Sequence, residues 1–285
     1  MILVSVIIPF YSSTTGLLTK AVESALSQTI ENLEVIIIDD CSPVSGAKEL
    51  ELINDDRVRI IRHSKNSNGG IARNTGIDNA AGEYVAFLDY DDIWYEDKLE
   101  KQYNLFKANS ISYSNLVVYS MCKIIDGNRT LIRPTRPIKE KESVGQYLFC
   151  AKQIIQTSGI FLKTSLAKEV KFDDLKRHQD YQFCLYLENL GAKFVMLEDV
   201  SYEFIQIPKL NDYHFSLTWL DTYYKYLDYK AVRGFKGLVI LRSIISHKKS
   251  KEAFKFAFKE KLLINYFYII FLKLSKEIYL KAKKR

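Results

Sequence analysis

The sequence predicts an α/β protein, a mainly parallel sheet with helices on both faces, followed by a helical appendage. Three observations predict it. Short, uniformly apolar runs alternate with one-sided helical stretches through the first half, as strands buried on both faces require. Three of these runs end in polar or acidic residues, and open α/β sheets bind ligands beyond such strand ends. From about residue 212 the text turns aromatic, basic and helical without a Pro- or Gly-rich linker.

Residues 4–8 are the first predicted strand. The apolar run ends at Pro9 and no basic segment precedes it, so it reads as a strand, not a signal peptide. Leu17, Leu18, Ala21, Val22, Ala25 and Leu26 recur at helical spacing. Residues 34–39 (EVIIID) and 57–63 (RVRIIRH) are the second and third strands. A helix is expected over 69–82, opened by Gly69-Gly70 and ended by Gly82. Residues 84–88 form the fourth strand and run into Asp89, Asp91 and Asp92. A helix over 93–106 then follows, and Asp92 either caps it or supports a metal site at this strand end. Later come strands at 116–125, 156–163 and 193–199, with a helix over 179–191 closed by Gly191. The expected organisation is a domain over 1–210, divided into a first half (1–98) and a second (99–210), with a basic aromatic region over 211–285.

The net charge of +7 is unevenly placed. Residues 248–285 hold twelve Lys or Arg against three acidic residues, so the tail carries +9 and the remainder −2. A nucleic-acid binder spreads or stripes its basic charge over the folded domain, so nucleic acid is excluded as a partner. The four cysteines, Cys41, Cys122, Cys150 and Cys184, are widely spaced. That is neither a zinc site nor a disulfide framework, and it suits free thiols in a reducing compartment. No run approaches the roughly 20 apolar residues of a membrane span.

Three carboxylates at one strand end repel one another, so a cation is expected there. In extended chain, residues i and i+2 point the same way, which lets Asp89 and Asp91 face one spot. Mg²⁺ or Mn²⁺ typically binds through one or two carboxylates plus substrate phosphates.

Four segments then appear in order: VSVIIPFY, SALSQTIENLEVIIIDDCSP, NGGIARNTGI and GEYVAFLDYDDIW. Over about residues 3–98 they resemble the nucleotide-sugar half of family 2 glycosyltransferases, which have the GT-A fold, with a weaker continuation to about residue 205. The resemblance implies a UDP-sugar donor, with UDP-hexose the expected form, and a divalent cation, Mn²⁺ or Mg²⁺. It implies that Pro9 and Tyr11 shape a loop over the base and that Asp40 accepts from uracil or ribose, with Asp39 supporting the turn. Arg73 lies near the base or diphosphate, Asn74 holds the loop, Asp89 approaches the ribose and Asp91 binds the metal. The family places its general base as the Asp of a Glu-Asp pair opening a helix after "FD"; here Asp180 takes that position, after Phe172-Asp173-Asp174. Gln179 replaces the Glu, and a neutral neighbour is expected to keep the Asp180 pKa lower.

Other departures bear on function. Ser12 stands where the family has Asn, and no Gln-x-x-Arg-Trp follows Asp180. The family's processive synthases carry that motif with membrane spans, so transfer of one sugar per acceptor is implied. His214 is a second-rank candidate for a metal or phosphate contact. The Lys- and aromatic-rich tail suits an anionic membrane interface, with Phe254, Phe258 and Leu262 as its expected apolar face. The acceptor implied is an undecaprenyl-diphosphate-linked glycan, and the expected location is the inner face of the cytoplasmic membrane. Two alternatives compete. A nucleotidyltransferase carries a basic phosphate loop after its first strand, and PFYSSTTG has no basic residue. An inactive nucleotide-sugar-binding module has no use for Asp40, Asp91 and Asp180 together.

Overall fold

The structure is a computed structural model that describes residues 1–127, 129–206 and 211–282, with side chains to residue 275. Strands β1 (Val4–Phe10), β2 (Leu33–Asp39), β3 (Val58–Arg62) and β4 (Tyr84–Phe87) alternate with helices α1 (Leu17–Leu26), α2 (Gly46–Glu49) and α3 (Asn68–Asn79). Next come β5 (Ile93–Trp94), α4 (Lys98–Ser110), β6 (Leu116–Asp126) and β7 (Arg129–Arg133). After α5 (Val144–Phe149), the chain continues through β8 (Phe161–Lys163), α6 (Thr164–Val170), α7 (Gln179–Asn189) and β9 (Lys193–Ile205). It ends in α8 (Tyr213–Tyr223), α9 (Tyr229–Phe235), a π-helical stretch Lys236–Leu241, α10 (Arg242–Ser246), α11 (Ser250–Lys259) and α12 (Leu263–Ala282).

The chain divides into two compact units. One holds Met1–Glu140 and the stretch from Gln153 through β9; the other holds Lys141–Lys152, with α5, and the C-terminal helices. The α5 segment therefore packs with the C-terminal helices, a grouping that no sequence boundary marks.

In the first unit the strand order is β3-β2-β1-β4-β8-β6-β9-β5, with β7 on β6. The β3-β2-β1-β4 side is parallel. Beyond it β8 runs antiparallel to β4 and β6, while β6 and β9 are parallel. Every residue of β1, β2 and β4 is buried, which is why these runs lack the polar alternation of a half-exposed strand. Pro9 is tolerated inside β1 for a geometric reason. Ile7 accepts from Leu88 of the β4 side, so residue 9 turns its backbone the same way, where the β4 ladder has already ended at Phe87. Gly82 marks a close approach: a Cβ there would lie 2.6 Å from the Ser5 backbone nitrogen. Its N–H donates to Ser5 Oγ at 2.9 Å.

Two expected elements differ. Residues 93–94 pair with β9 as a short strand, and the helix begins only at Lys98, after Asp97. Asp92 is thus not its cap; the Trp94 indole is held down by a bond from Nε1 to the Ser158 carbonyl at 2.9 Å, which fixes the segment as strand. Residues 156–160 are not strand either. Thr157–Gly159 form a 3₁₀ turn, and only Phe161–Lys163 join the sheet.

In the second unit Phe149, Trp219 and Phe235 form an aromatic core, with the Trp219 and Phe235 rings stacked at 4.9 Å. Ala253, Ala257 and Leu262 face inward. Large apolar side chains on α11 and α12 face out: Phe254, Phe258, Ile264, Phe267, Tyr268 and Phe271 are all more than 40% exposed. No described helix is long and apolar enough to cross a membrane.

Candidate active site

The parallel strands of the first unit bring their C-terminal ends together. Phe10 and Tyr90 pack edge to face at 5.4 Å, and the Asp40 N–H donates to the Phe10 carbonyl at 2.9 Å. Ser12 is buried; its Oγ accepts from the Thr14 N–H at 3.0 Å, making a local turn. Pro9 lies within β1 rather than in a loop, while Tyr11 stands beyond the strand and is 47% exposed.

Asp39 and Asp40 serve the turn after β2. Asp39 accepts from the backbone N–H groups of Ser42 and Gly46 and from Arg62 at 2.5 Å. Asp40 is equally buried. Its Oδ1 lies 2.7 Å from His63 Nδ1, and the Ser67 N–H donates to both oxygens at 2.8 and 3.0 Å. His63 Nε2 in turn lies 2.9 Å from Thr75 Oγ1 of α3. An ionised carboxylate offers about four acceptor sites, so Asp40 keeps capacity for one more donor.

The acidic segment after β4 is held by the 156–158 turn. Asp89 accepts from Arg73 Nη2, from Gln156 Nε2 at 2.9 Å and from Thr157 Oγ1 at 3.2 Å. Its own N–H donates to Ser158 Oγ at 2.9 Å. Asp92 is 1% exposed. Its Oδ2 accepts from Ser158 Oγ at 2.6 Å and Gln156 Nε2 at 3.1 Å, but its Oδ1 is buried with no hydrogen-bond partner. Burial, then the charges of Asp89 and Asp91, push the Asp92 carboxyl well above the usual carboxylate range.

Helix α7 brings in the candidate base. Asn74 of α3 clamps the incoming chain through paired bonds with the Phe172 backbone, at 2.7 and 2.8 Å. Phe172 then stacks on Phe183 at 4.1 Å, and Tyr186 donates to Asp173 at 2.9 Å. Asp180 sits in the first turn of α7. Burial raises its pKa to about 6, against the lowering by the Tyr181 backbone N–H and by Arg73. The low pKa expected from a neutral Gln179 neighbour is therefore not found, because loss of water outweighs the missing charge. His178 beside it is pushed down to about 4 by burial, so it is neutral near pH 7.

The donor set suits a divalent cation in one specific way. Among the described residues no three ligating side chains cluster closely enough to hold a metal unaided. An acidic segment with an unpartnered buried oxygen on Asp92 nonetheless fits an ion held by one or two carboxylates and completed by phosphate oxygens.

Sequence reasoning missed Gln156, Thr157 and Ser158, which carry most of the bonds to Asp89 and Asp92; a polar triplet just ahead of an apolar run was the available signal. It also missed His63, one residue past β3. His214 lies exposed on α8 in the second unit.

An acid-ended parallel sheet, faced by a helix that opens on the partly buried Asp180, is an arrangement of GT-A type. The chain belongs to glycosyl transferase family 2: residues 5–170 match that family, and the protein is a glycosyltransferase. It is similar to amylovoran biosynthesis glycosyltransferase AmsB of Erwinia amylovora, 34% identical over 268 residues, covering 89% of this chain and 88% of that one. It also resembles succinoglycan biosynthesis protein ExoW of Rhizobium meliloti, 45% identical over 104 residues, 35% of this chain and 32% of that one. Among solved structures, S. aureus TarS 1–349 in complex with UDP-GlcNAc matches with a TM-score of 0.60 at 20% identity, covering 86% of this chain and 73% of that chain. That likeness shows the shared fold.

Proposed function

We propose that the protein is an inverting, metal-dependent, non-processive hexosyltransferase that moves one sugar from a UDP-sugar to a hydroxyl of an undecaprenyl-diphosphate-linked glycan. The pathway class is surface polysaccharide synthesis of the O-antigen, lipopolysaccharide or capsule type. The relatives' names, which include amylovoran and succinoglycan biosynthesis, support the pathway class, and the UDP-GlcNAc bound to TarS supports the donor class. The observation that carries the reading is the Arg73 bridge. One buried guanidinium bonds Asp89 on the donor side and Gln179, next to Asp180, on the other.

In this reading Pro9, Tyr11, Asp40, Arg73 and Asp89 hold the nucleotide sugar, and Asp91 holds Mn²⁺ or Mg²⁺. That ion, when bound, offsets the charge growing on the departing diphosphate. Asp180 takes the proton of the acceptor hydroxyl as its oxygen bonds to the anomeric carbon. The bond from that carbon to the diphosphate oxygen breaks, and UDP leaves. A single carboxylate suffices, unlike the pair of a glycoside hydrolase. Activity is tested by UDP release from a panel of UDP-sugars with Mn²⁺ and a synthetic lipid-diphosphate acceptor. No transfer from any of them would refute the reading.

The membrane part of the proposal rests on α11 and α12. Leu262 is buried and drops out of the expected face, whereas Phe254 and Phe258 stay exposed and Ile264, Phe267 and Phe271 extend the apolar surface. Lys251, Lys255, Lys259 and Lys273 are exposed on the same helices, and Lys261 is exposed in the turn between them. Each cation near an anionic leaflet contributes on the order of 1 kcal/mol. The enzyme is thus proposed to work peripherally at the inner face of the cytoplasmic membrane. Phe258→Glu with Phe267→Glu is expected to abolish co-sedimentation with anionic vesicles while leaving UDP binding intact; equal sedimentation of variant and parent would end this part of the proposal.

A further inference from the structure

Gln179 opens α7 beside Asp180, and its surroundings suit an amide. We propose that Gln179 is a positioning residue whose carboxamide commits Arg73 to Asp89, so that one cation sets both the donor side and the proton-accepting side of the site. This rests on Asp180 as the proton acceptor.

Arg73 is 7% exposed and reaches out from α3, with Phe172 beneath its guanidinium at 5.5 Å. Its Nη1 donates to Gln179 Oε1 at 2.8 Å, and its Nη2 donates to Asp89 and, at 3.4 Å, to Thr157 Oγ1. The other end of the Gln179 amide donates to the Leu175 carbonyl. Both ends of the amide are therefore used, and a carboxylate would meet Leu175 acceptor to acceptor. The glycines that open α3 make room for this pair. A Cβ on Gly69 would lie 3.2 Å from both Arg73 Nη1 and Gln179 Oε1, and one on Gly70 would lie 2.6 Å from the Asp173 carbonyl.

The charge balance follows from these contacts. Among the described residues, the ionisable groups whose charge bears on Asp180 include Arg73 from α3 and Asp89 from the end of β4, with Tyr181 and Cys184 on α7 itself. Because Gln179 is neutral, Asp89 is the carboxylate that pairs with Arg73. A Glu at position 179 would compete for that cation and add negative charge beside Asp180.

Steady-state kinetics with a UDP-sugar and Mn²⁺ test this on Gln179→Glu and Gln179→Met. Loss of a hydrogen bond to a charged group predicts a donor KM raised roughly tenfold in both variants. In Gln179→Glu the acid limb of the kcat/KM profile should also move up by about one pH unit; in Gln179→Met it should stay in place. Donor KM and acid limb both at wild-type values in folded Gln179→Glu would overturn the proposal. If the Gln179 variants do not fold, Gly69→Ala reads the same contact, since it keeps every polar group and adds a methyl against the bond. A several-fold rise in donor KM supports the proposal, and an unchanged one overturns it. Asp180→Asn, measured in parallel, separates the two readings. Full turnover there removes Asp180 as the base, while calorimetric titration of UDP–Mn²⁺ into Gln179→Met still decides whether Gln179 holds Arg73 for the donor.

Discussion

At the end of β2, Asp39 and Asp40 meet backbone N–H groups, Arg62 and His63, which take up all but about one acceptor site on each. At the end of β4, Asp89, Asp91 and Asp92 crowd within four residues, and one Asp92 oxygen is buried without a partner. The two strand ends look alike as text. They differ in how far the fold neutralises them, and a buried acid left incompletely paired is the better mark of a ligand site.

The largest break in that contrast is expected from Asp91→Ala. Transfer should fall by roughly a thousandfold, the upper end of what a single lost electrostatic contact to a developing charge costs. Metal-dependent UDP binding should go with it. Calorimetry of UDP with and without Mn²⁺ checks this, and a variant that binds UDP–Mn²⁺ like the parent would move the metal elsewhere.

Asp180→Asn should lower turnover by roughly 10²–10⁴, the usual yield of a general base, with donor affinity unchanged. A smaller thermal effect accompanies it. The folded protein holds the Asp180 proton more tightly than the unfolded chain, so this residue's stabilising contribution is present below pH 3.8 and is lost as pH rises to about 6. At pH 7 the Asn variant should therefore melt higher than the parent. A lower melting temperature would contradict the burial argument.

The pH profile gives the next effect in size. Deprotonated Asp180 is the active form, so kcat/KM should rise through pH about 6 and fall tenfold per unit below it. A limb near pH 4 would indicate a solvated base.

The smallest effects bear on the comparison itself. Asp39→Asn breaks a buried set of bonds and should cost about 1–3 kcal/mol, seen as a fall of several degrees in melting temperature. Asp92→Asn removes one of three crowded charges and should melt at or above the parent in metal-free buffer. Equal losses in the two variants would show that both strand ends are built alike.

The alternation of apolar runs and amphipathic helices was enough to place the first four strands, α1 and α3, because strands buried on both faces tolerate few polar residues. The acid-ended strands pointed to the site for a similar reason, since nothing in a packed core requires Asp after Leu88. The 156–158 turn was not legible. Its polar residues precede an apolar run and read as strand, and only the packing of Trp94 and Asp92 against Ser158 makes them a turn.

Local sequence determined the first four strands, their acidic ends and the uneven charge of the tail, since these follow from hydrophobic periodicity and composition, which act between near neighbours. Tertiary structure decided which acids are satisfied, what raises the Asp180 pKa, and that Leu262 turns inward while Phe258 turns out. Each depends on partners far away in sequence, such as Arg73 for Gln179 or Gln156 for Asp89. Burial and pairing are properties of the surroundings a side chain meets only after the chain has folded.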